Sequence, residues 1–302
     1  MTIMQTHNLT KKFGSATAVE GLSLTVEQGE IYGFLGLNGA GKTTTIRMLL
    51  GMIRPTSGSI TLFGKDLTRK SDIWNDVGYM VETPHAYPDL SVWENLEIIA
   101  RLRGIFSKNV VNEVIERLHL TQYRDKQVKY LSLGNVQRLG LAKALMHKPK
   151  LLLLDEPING LDPAGIQELR EMLQELARSG TTVFLSSHIL SEMAKLATRI
   201  GIIHAGRLLT QVLTEDLEHH LYKTLLLGTH NNAAALELLH GNGFQATING
   251  EMYVHSTDAR ALAHPEELAT LCVQANLPPQ HLSVVEEDLE QFFLRTIHVK
   301  AE

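Results

Sequence analysis

The eight residues Gly36-Leu37-Asn38-Gly39-Ala40-Gly41-Lys42-Thr43 constrain this chain more than any other segment. They match the pattern GxxxxGK[ST] without a mismatch, and Thr44 follows. The apolar run Ile31–Leu35 precedes them and reads as a buried strand. Lys42 to Leu50 reads as a helix closed near Gly51 and Pro55. A strand, a glycine loop and a helix in that order form a phosphate cradle. Gly36, Asn38, Gly39 and Gly41 let backbone N–H groups point at phosphate oxygens. The helix start adds its positive dipole end. Lys42 is expected to reach β- and γ-phosphates, and the Thr43 hydroxyl to ligate Mg²⁺. With glycine at about 7% of residues, a chance match in a chain of this length is on the order of one in a hundred.

A second acid is needed for the cation, and Leu151-Leu152-Leu153-Leu154-Asp155-Glu156-Pro157 supplies one. Four apolar residues form a strand, and Asp155 emerges at its carboxyl end, the edge where open α/β sheets bind ligands. Asp155 is therefore a candidate Mg²⁺ ligand. Glu156 is placed to act as base or to position an attacking water. Thr182-Val183-Phe184-Leu185-Ser186-Ser187-His188 is a further strand ending in polar residues at the same edge. It offers His188 as a second candidate to orient the water.

Pro163–Arg178 has helical periodicity, and Ile200–His204 is another strand before the turn at Ala205-Gly206. This alternation predicts a parallel sheet with helices on its faces. From about residue 90 to 146 the pattern is helical instead, with apolar positions at Leu96, Ile99, Leu102, Val111, Val114, Ile115 and Leu118. After about Leu213 short strand-like pieces mix with helical ones. Thr224–Leu227, Gln245–Ile248 and Met252–His255 read as strands, and Ala233–His240 and Pro265–Ala275 as helices. The expected organisation is a domain over 1–215 with a helical insert, then a small α+β domain over 216–302.

At 302 residues, with 44% hydrophobic content, the chain is long enough for one large domain and a small one. A net charge of −5 with both signs mixed argues against nucleic-acid binding. The single cysteine, Cys272, makes no internal disulfide and suits a reducing compartment. No secretory signal or membrane-length apolar run is expected. His219, His220 and His240 lack metal-ligand spacing and read as solvated surface.

Taken in order, the motifs resemble those of ATP-binding-cassette (ABC) ATPases, from near the start to about residue 215. Asp155-Glu156-Pro157 resembles the family's Walker B with its catalytic glutamate, Gly160-Leu161-Asp162-Pro163 its D-loop, and His188 its switch histidine. Phe13 matches the aromatic that stacks on adenine. Leu131-Ser132-Leu133-Gly134-Asn135, followed by Val136-Gln137-Arg138, resembles the signature LSGGQ-x-QR, departing at Leu133 and Asn135. Ser132 and Gly134, the two residues expected to meet a γ-phosphate, are kept. Where the family usually has glutamine, the segment Gly78–Pro84 carries Glu82, a candidate ligand for Mg²⁺ or its water. Glutamate there resembles the subgroup that exports, or confers immunity to, antimicrobial peptides of the bacitracin and lantibiotic kind. The tail Glu286–Leu294 is similar to tails in that export class.

The resemblance implies a P-loop NTPase fold of the ABC type, ATP and Mg²⁺ as cofactors, and ATP hydrolysis coupled to transport. It implies two subunits, most simply a homodimer, closing on two ATP molecules. It also implies a separate transmembrane permease that holds the chain at the cytoplasmic face of the membrane. The alternative is a soluble ATPase of the same fold acting on ribosomes or DNA. Such proteins usually carry two cassettes or a long coiled-coil insert, and here there is one phosphate loop and no such insert.

Overall fold

The computed structural model describes residues 1–67, 72–82, 84–248 and 252–301. It divides into two compact units, Met1–Glu215 and Asp216–Val299.

The first unit opens with two long strands, β1 (Thr2–Phe13) and β2 (Ala16–Glu27), followed by β3 (Ile31–Leu35) and helix α1 (Lys42–Leu49). Next come β4 (Ser57–Leu62), β5 (Lys65–Asp66) and β6 (Val77–Met80). Three helices fill the middle of the chain: α2 (Val92–Leu102), α3 (Lys108–Arg117) and α4 (Leu133–Leu145). The unit closes with β7 (Leu151–Leu154), α5 (Pro163–Arg178), β8 (Thr182–Ser187), α6 (Leu190–Leu196), β9 (Arg199–His204) and β10 (Arg207–Leu213).

These strands make two sheets. The first is antiparallel, in the order β2-β1-β4-β5, and the sequence pattern alone did not reveal it. Register shifts along β1, between Thr6 and Leu9 for example, break the alternation that marks a half-buried strand. The second has the order β10-β9-β3-β8-β7-β6, parallel except for the hairpin β9–β10. Its inner strands β3, β7 and β8 are buried along their whole length. Burial on both faces explains why they read as continuous apolar runs.

One core joins the two sheets and α1. It includes Met4, Leu22 and Leu62 from the antiparallel sheet, Ile46 and Leu49 from α1, and the rings of Tyr32, Phe34 and Phe184. Tyr32 stacks on Phe184 with centroids 5.4 Å apart, and its hydroxyl donates to Gln211 Oε1 at 2.8 Å. Burial pushes the Tyr32 phenol well above its usual range.

The helices start on defined caps. Ser91 and Glu94 form a reciprocal capping box at α2. Ser132 caps α4, and Asp162 caps α5 with Pro163 in its first turn. No helix among the described residues is long and apolar enough to cross a membrane.

The second unit runs β11 (Lys223–Gly228), α7 (Asn232–Gly241), β12 (Thr247–Ile248), β13 (Val254–Ser256), α8 (Ala259–Ala263), α9 (Pro265–Gln274), β14 (His281–Glu286) and α10 (Leu289–Ala301). Both middle strands are shorter than their sequence pattern suggests, and β14 is additional. The sheet order is β12-β13-β11-β14, antiparallel throughout. Strand–helix–strand–strand–helix–strand connectivity with that order is the split βαβ, ferredoxin-like arrangement. Its own core gathers Leu225, Leu227, Leu239, Phe244, Val254 and Leu268 around the buried Cys272.

Candidate nucleotide site

Three adjacent parallel strands, β3, β8 and β7, end side by side and deliver the candidate residues to one edge. The loop after β3 turns back at Gly41, where φ is +109° and an added Cβ would lie 2.5 Å from the Ala18 carbonyl oxygen. Only glycine fits there. No side chain caps α1, so its first N–H groups are left for an anion. Asn38, Gly39, Gly41, Lys42, Thr43, Thr44, Glu156 and Ala18 of β2 line the resulting concavity.

Lys42 is buried, and its ammonium donates to the carbonyls of Gly36 at 2.6 Å and Leu37 at 3.3 Å. A third contact, 3.1 Å, goes to Glu156 Oε1. Three donors and three partners account for the whole ammonium group. Glu156 Oε2 lies 2.9 Å from His188 Nδ1. The Glu156 carboxylate is thus held between a lysine and a histidine. Its backbone sits at φ +49°, unusual for a residue with a side chain, and its N–H donates to Ser186 Oγ at 2.9 Å. Gln137 of α4, itself buried, donates from Nε2 to the Pro157 carbonyl at 3.2 Å.

Asp155 is buried one residue earlier. Its Oδ2 accepts from Thr43 Oγ1 at 2.6 Å and its Oδ1 from Ser186 Oγ at 2.5 Å. A hydroxyl and a carboxylate this close are a hard-oxygen donor pair of the kind that suits Mg²⁺ beside phosphate. No group of three or more histidine, cysteine, aspartate or glutamate side chains capable of holding a metal ion occurs among the described residues. Sequence reasoning passed over Ser186 and Gln137. Ser186 was visible only as one of the polar residues ending β8, and Gln137 only as part of the signature.

Four candidates stand apart from this cluster. Phe13 ends β1 opposite Ala16, with its ring 53% exposed and Lys11 Nζ 4.8 Å above it, so it is no core residue. Ser132 is exposed and accepts from Asn135 N at 3.3 Å, and Gly134 lies in the same first turn of α4. Glu82 follows β6 at φ +57°, and its carboxylate pairs with Arg47 of α1 at 2.5 Å. In the second unit His240 Nε2 lies 2.8 Å from the Ala246 carbonyl, and the His220 ring lies against Phe292.

A groove runs beside Glu82, lined by Tyr79, Pro84, Ile99, Leu102, Arg103 and Lys143. Lys143 Nζ donates to the His85 carbonyl at 2.9 Å, and burial pushes its pKa down to about 8.

A glycine cradle, an acid-ended strand and a histidine-ended strand on one sheet edge define a phosphate-loop nucleotide-binding fold. Comparison with known proteins narrows this. The family model described as ABC transporter matches residues 19–159. The bacitracin transport ATP-binding protein BcrA of Bacillus licheniformis is 43% identical over 302 residues, spanning 98% of this chain and 97% of that protein. The lantibiotic transport ATP-binding protein SrtF of Streptococcus pyogenes is 38% identical over 209 residues, covering 69% of this chain and 90% of its own. Among solved structures, an ATP-binding subunit of an ABC transporter superposes with a TM-score of 0.65 at 27% identity, over 72% of this chain and 92% of that one. The chain belongs to the ABC transporter family as an ATP-binding subunit, an ATPase whose turnover is coupled to transport through a membrane permease.

Proposed function

We propose that this subunit hydrolyses ATP at the cytoplasmic face of a membrane to drive a permease exporting a peptide antibiotic of the bacitracin or lantibiotic kind. Similarity to BcrA over nearly the whole of both chains supports the substrate class. The observation that carries the catalytic reading is the Glu156 carboxylate, held at 3.1 Å by Lys42 and 2.9 Å by His188 at the mouth of the phosphate loop.

In this reading the loop N–H groups and Lys42 bind the β- and γ-phosphates, and Phe13 stacks on the base. Thr43 and Asp155 hold Mg²⁺, which neutralises phosphate charge when bound. An arriving γ-phosphate competes with Glu156 for the Lys42 ammonium. The carboxylate is then free to accept a hydrogen bond, and finally a proton, from the attacking water. His188 keeps the carboxylate oriented. Water adds to the γ-phosphorus as the bond to the ADP oxygen breaks, giving ADP and phosphate.

Ser132 and Gly134, at the start of α4, serve the ATP of a second copy, so the working unit is a homodimer with two shared sites. Glu82 contributes to cation or water binding only after leaving Arg47, an exchange helped by the small net worth of an exposed ion pair. The groove beside it receives the permease. The two compact units act as an ATPase domain over 1–215 and an accessory domain over 216–302.

Glu156→Gln tests the scheme. Turnover is expected to fall by at least about a hundredfold, as for loss of a general base, while ATP drives the variant into a dimer seen by light scattering. Full turnover, or a monomer at saturating ATP, would sink it. Co-purification with ribosomes or DNA rather than with a membrane protein would remove the transport role and leave the ATPase.

A further inference from the structure

Leu133 is one of the two places where the signature segment departs from its family pattern, and its side chain has a definite seat. Gly160 lies in the loop between Glu156 and α5 with φ +79°. A Cβ built on Gly160 would fall 2.6 Å from Leu133 Cδ2 and 2.7 Å from Leu133 Cγ. The leucine side chain therefore rests directly on the Gly160 backbone, in space that any other residue at 160 would fill. The next residue touches the same loop, since a Cβ on Gly134 would lie 3.1 Å from the Gly160 carbonyl oxygen.

The contact continues down α4. Gln137, one turn on, donates to the Pro157 carbonyl. Arg138 pairs with Glu168 of α5 at 2.8 Å, and a Cβ on Gly165 would sit 3.3 Å from its Nη2. Residues 133, 134, 137 and 138 share one face of α4. Against that face lies the backbone running from the Glu156 carboxylate to the start of α5. The loop's internal bonds are few and local: Asn159 N to the Glu156 carbonyl at 3.1 Å and Leu161 N to the Ile158 carbonyl at 3.2 Å. The Pro157–Ile158 end of the loop is buried beside Leu185, Ile166 and Met193, whereas at Gly160 the close side-chain neighbour is Leu133 of α4.

We infer that Leu133 is a positioning residue for hydrolysis, seating the turn at Gly160 so that Glu156, four residues upstream, is held where the attacking water needs it. The inference rests on the reading of Glu156 as the group that handles that water. Leu133 itself is 57% exposed and touches no reacting atom, so its effect is on the rate of the chemical step and not on ATP affinity.

Steady-state kinetics of Leu133→Gly, which restores the family's glycine, make the test. kcat is expected to fall roughly tenfold, while KM for ATP stays within about twofold, the pattern of a misplaced catalytic group. Leu133→Met, with an unbranched chain of similar reach, restores most of the rate. Gly160→Ala, which drives a methyl into the leucine, lowers kcat in the wild type but has a smaller effect in Leu133→Gly, because the clash is gone. In the Glu156→Gln background, Leu133→Gly leaves ATP-driven dimer formation unchanged.

Wild-type kcat in Leu133→Gly would overturn the inference, and so would purely additive effects of the two substitutions. Loss of the ATP dimer would do the same, by making Leu133 an interface residue. If Glu156→Gln itself turns over normally, the failure belongs to the catalytic reading. If Glu156→Gln is inactive and Leu133→Gly is unaffected, the failure belongs to the seat alone.

Discussion

Ser186 shows what a single hydroxyl contributes in a buried acidic cluster. It donates to Asp155 Oδ1 and accepts from the Glu156 N–H, joining the candidate cation ligand and the candidate base through one side chain with no exposed surface. Ser186→Ala leaves both partners without that bond. It is expected to cost about 1–3 kcal/mol of stability, read from the urea midpoint, and to lower kcat more than it raises KM. Lys42 and Thr43 were legible in the sequence because a phosphate loop is a local object, its residues fixed by their spacing. Ser186 was not, because its role depends on Asp155, 31 positions away, and on β7 and β8 lying side by side. Glu82 was legible as a position, but its engagement with Arg47 was not, since nothing in the spacing brings α1 to the end of β6.

At the scale of elements, α4 organises the site. Ser132 caps its first turn, its second turn holds the Glu156–Pro157 backbone through Gln137, and its third packs Gly140 tightly against Pro84, just after Glu82. The helical insert was readable from the 3.6-residue spacing of its apolar positions. The antiparallel sheet was not, because bulges along β1 interrupt the two-residue alternation that announces a strand.

Lys143, near the end of α4, gives a pH test of the groove. Burial lowers its pKa from 10.5 to about 8, so between those values the unfolded chain binds more protons than the folded one. Stability therefore rises with pH across that window, and below about 8 the burial penalty remains in full. The lysine Cε spectrum should contain a signal titrating near pH 8 that is missing from Lys143→Gln. Occupation of the groove by a permease segment would shift that titration.

At the scale of the whole molecule, the two units have separate cores with no residue in common. Leu225→Ala, in the fully buried centre of β11, is expected to destabilise the second unit by about 2–5 kcal/mol. Calorimetry on the full chain should show that transition moving to lower temperature. The transition raised by ATP, which ligand linkage assigns to the unit carrying the phosphate loop, should stay in place.

The order β10-β9-β3-β8-β7-β6 has a consequence for how the protein is made. The phosphate loop grows from β3, yet both strands that hydrogen-bond to β3 lie near the end of the first unit, β8 at Thr182–Ser187 and β9 at Arg199–His204. A ribosome that has released the chain only through α5 has already exposed Gly36 to Thr43, with nothing on either side of the strand that carries them. Pairings this distant in sequence form slowly and leave apolar strands uncovered in the meantime. The loop is among the first parts of the active machinery to be synthesised, but it gains the power to hold a nucleotide only once some 150 further residues have emerged. During that interval β3 is an uncovered apolar strand of the kind that chaperones shield.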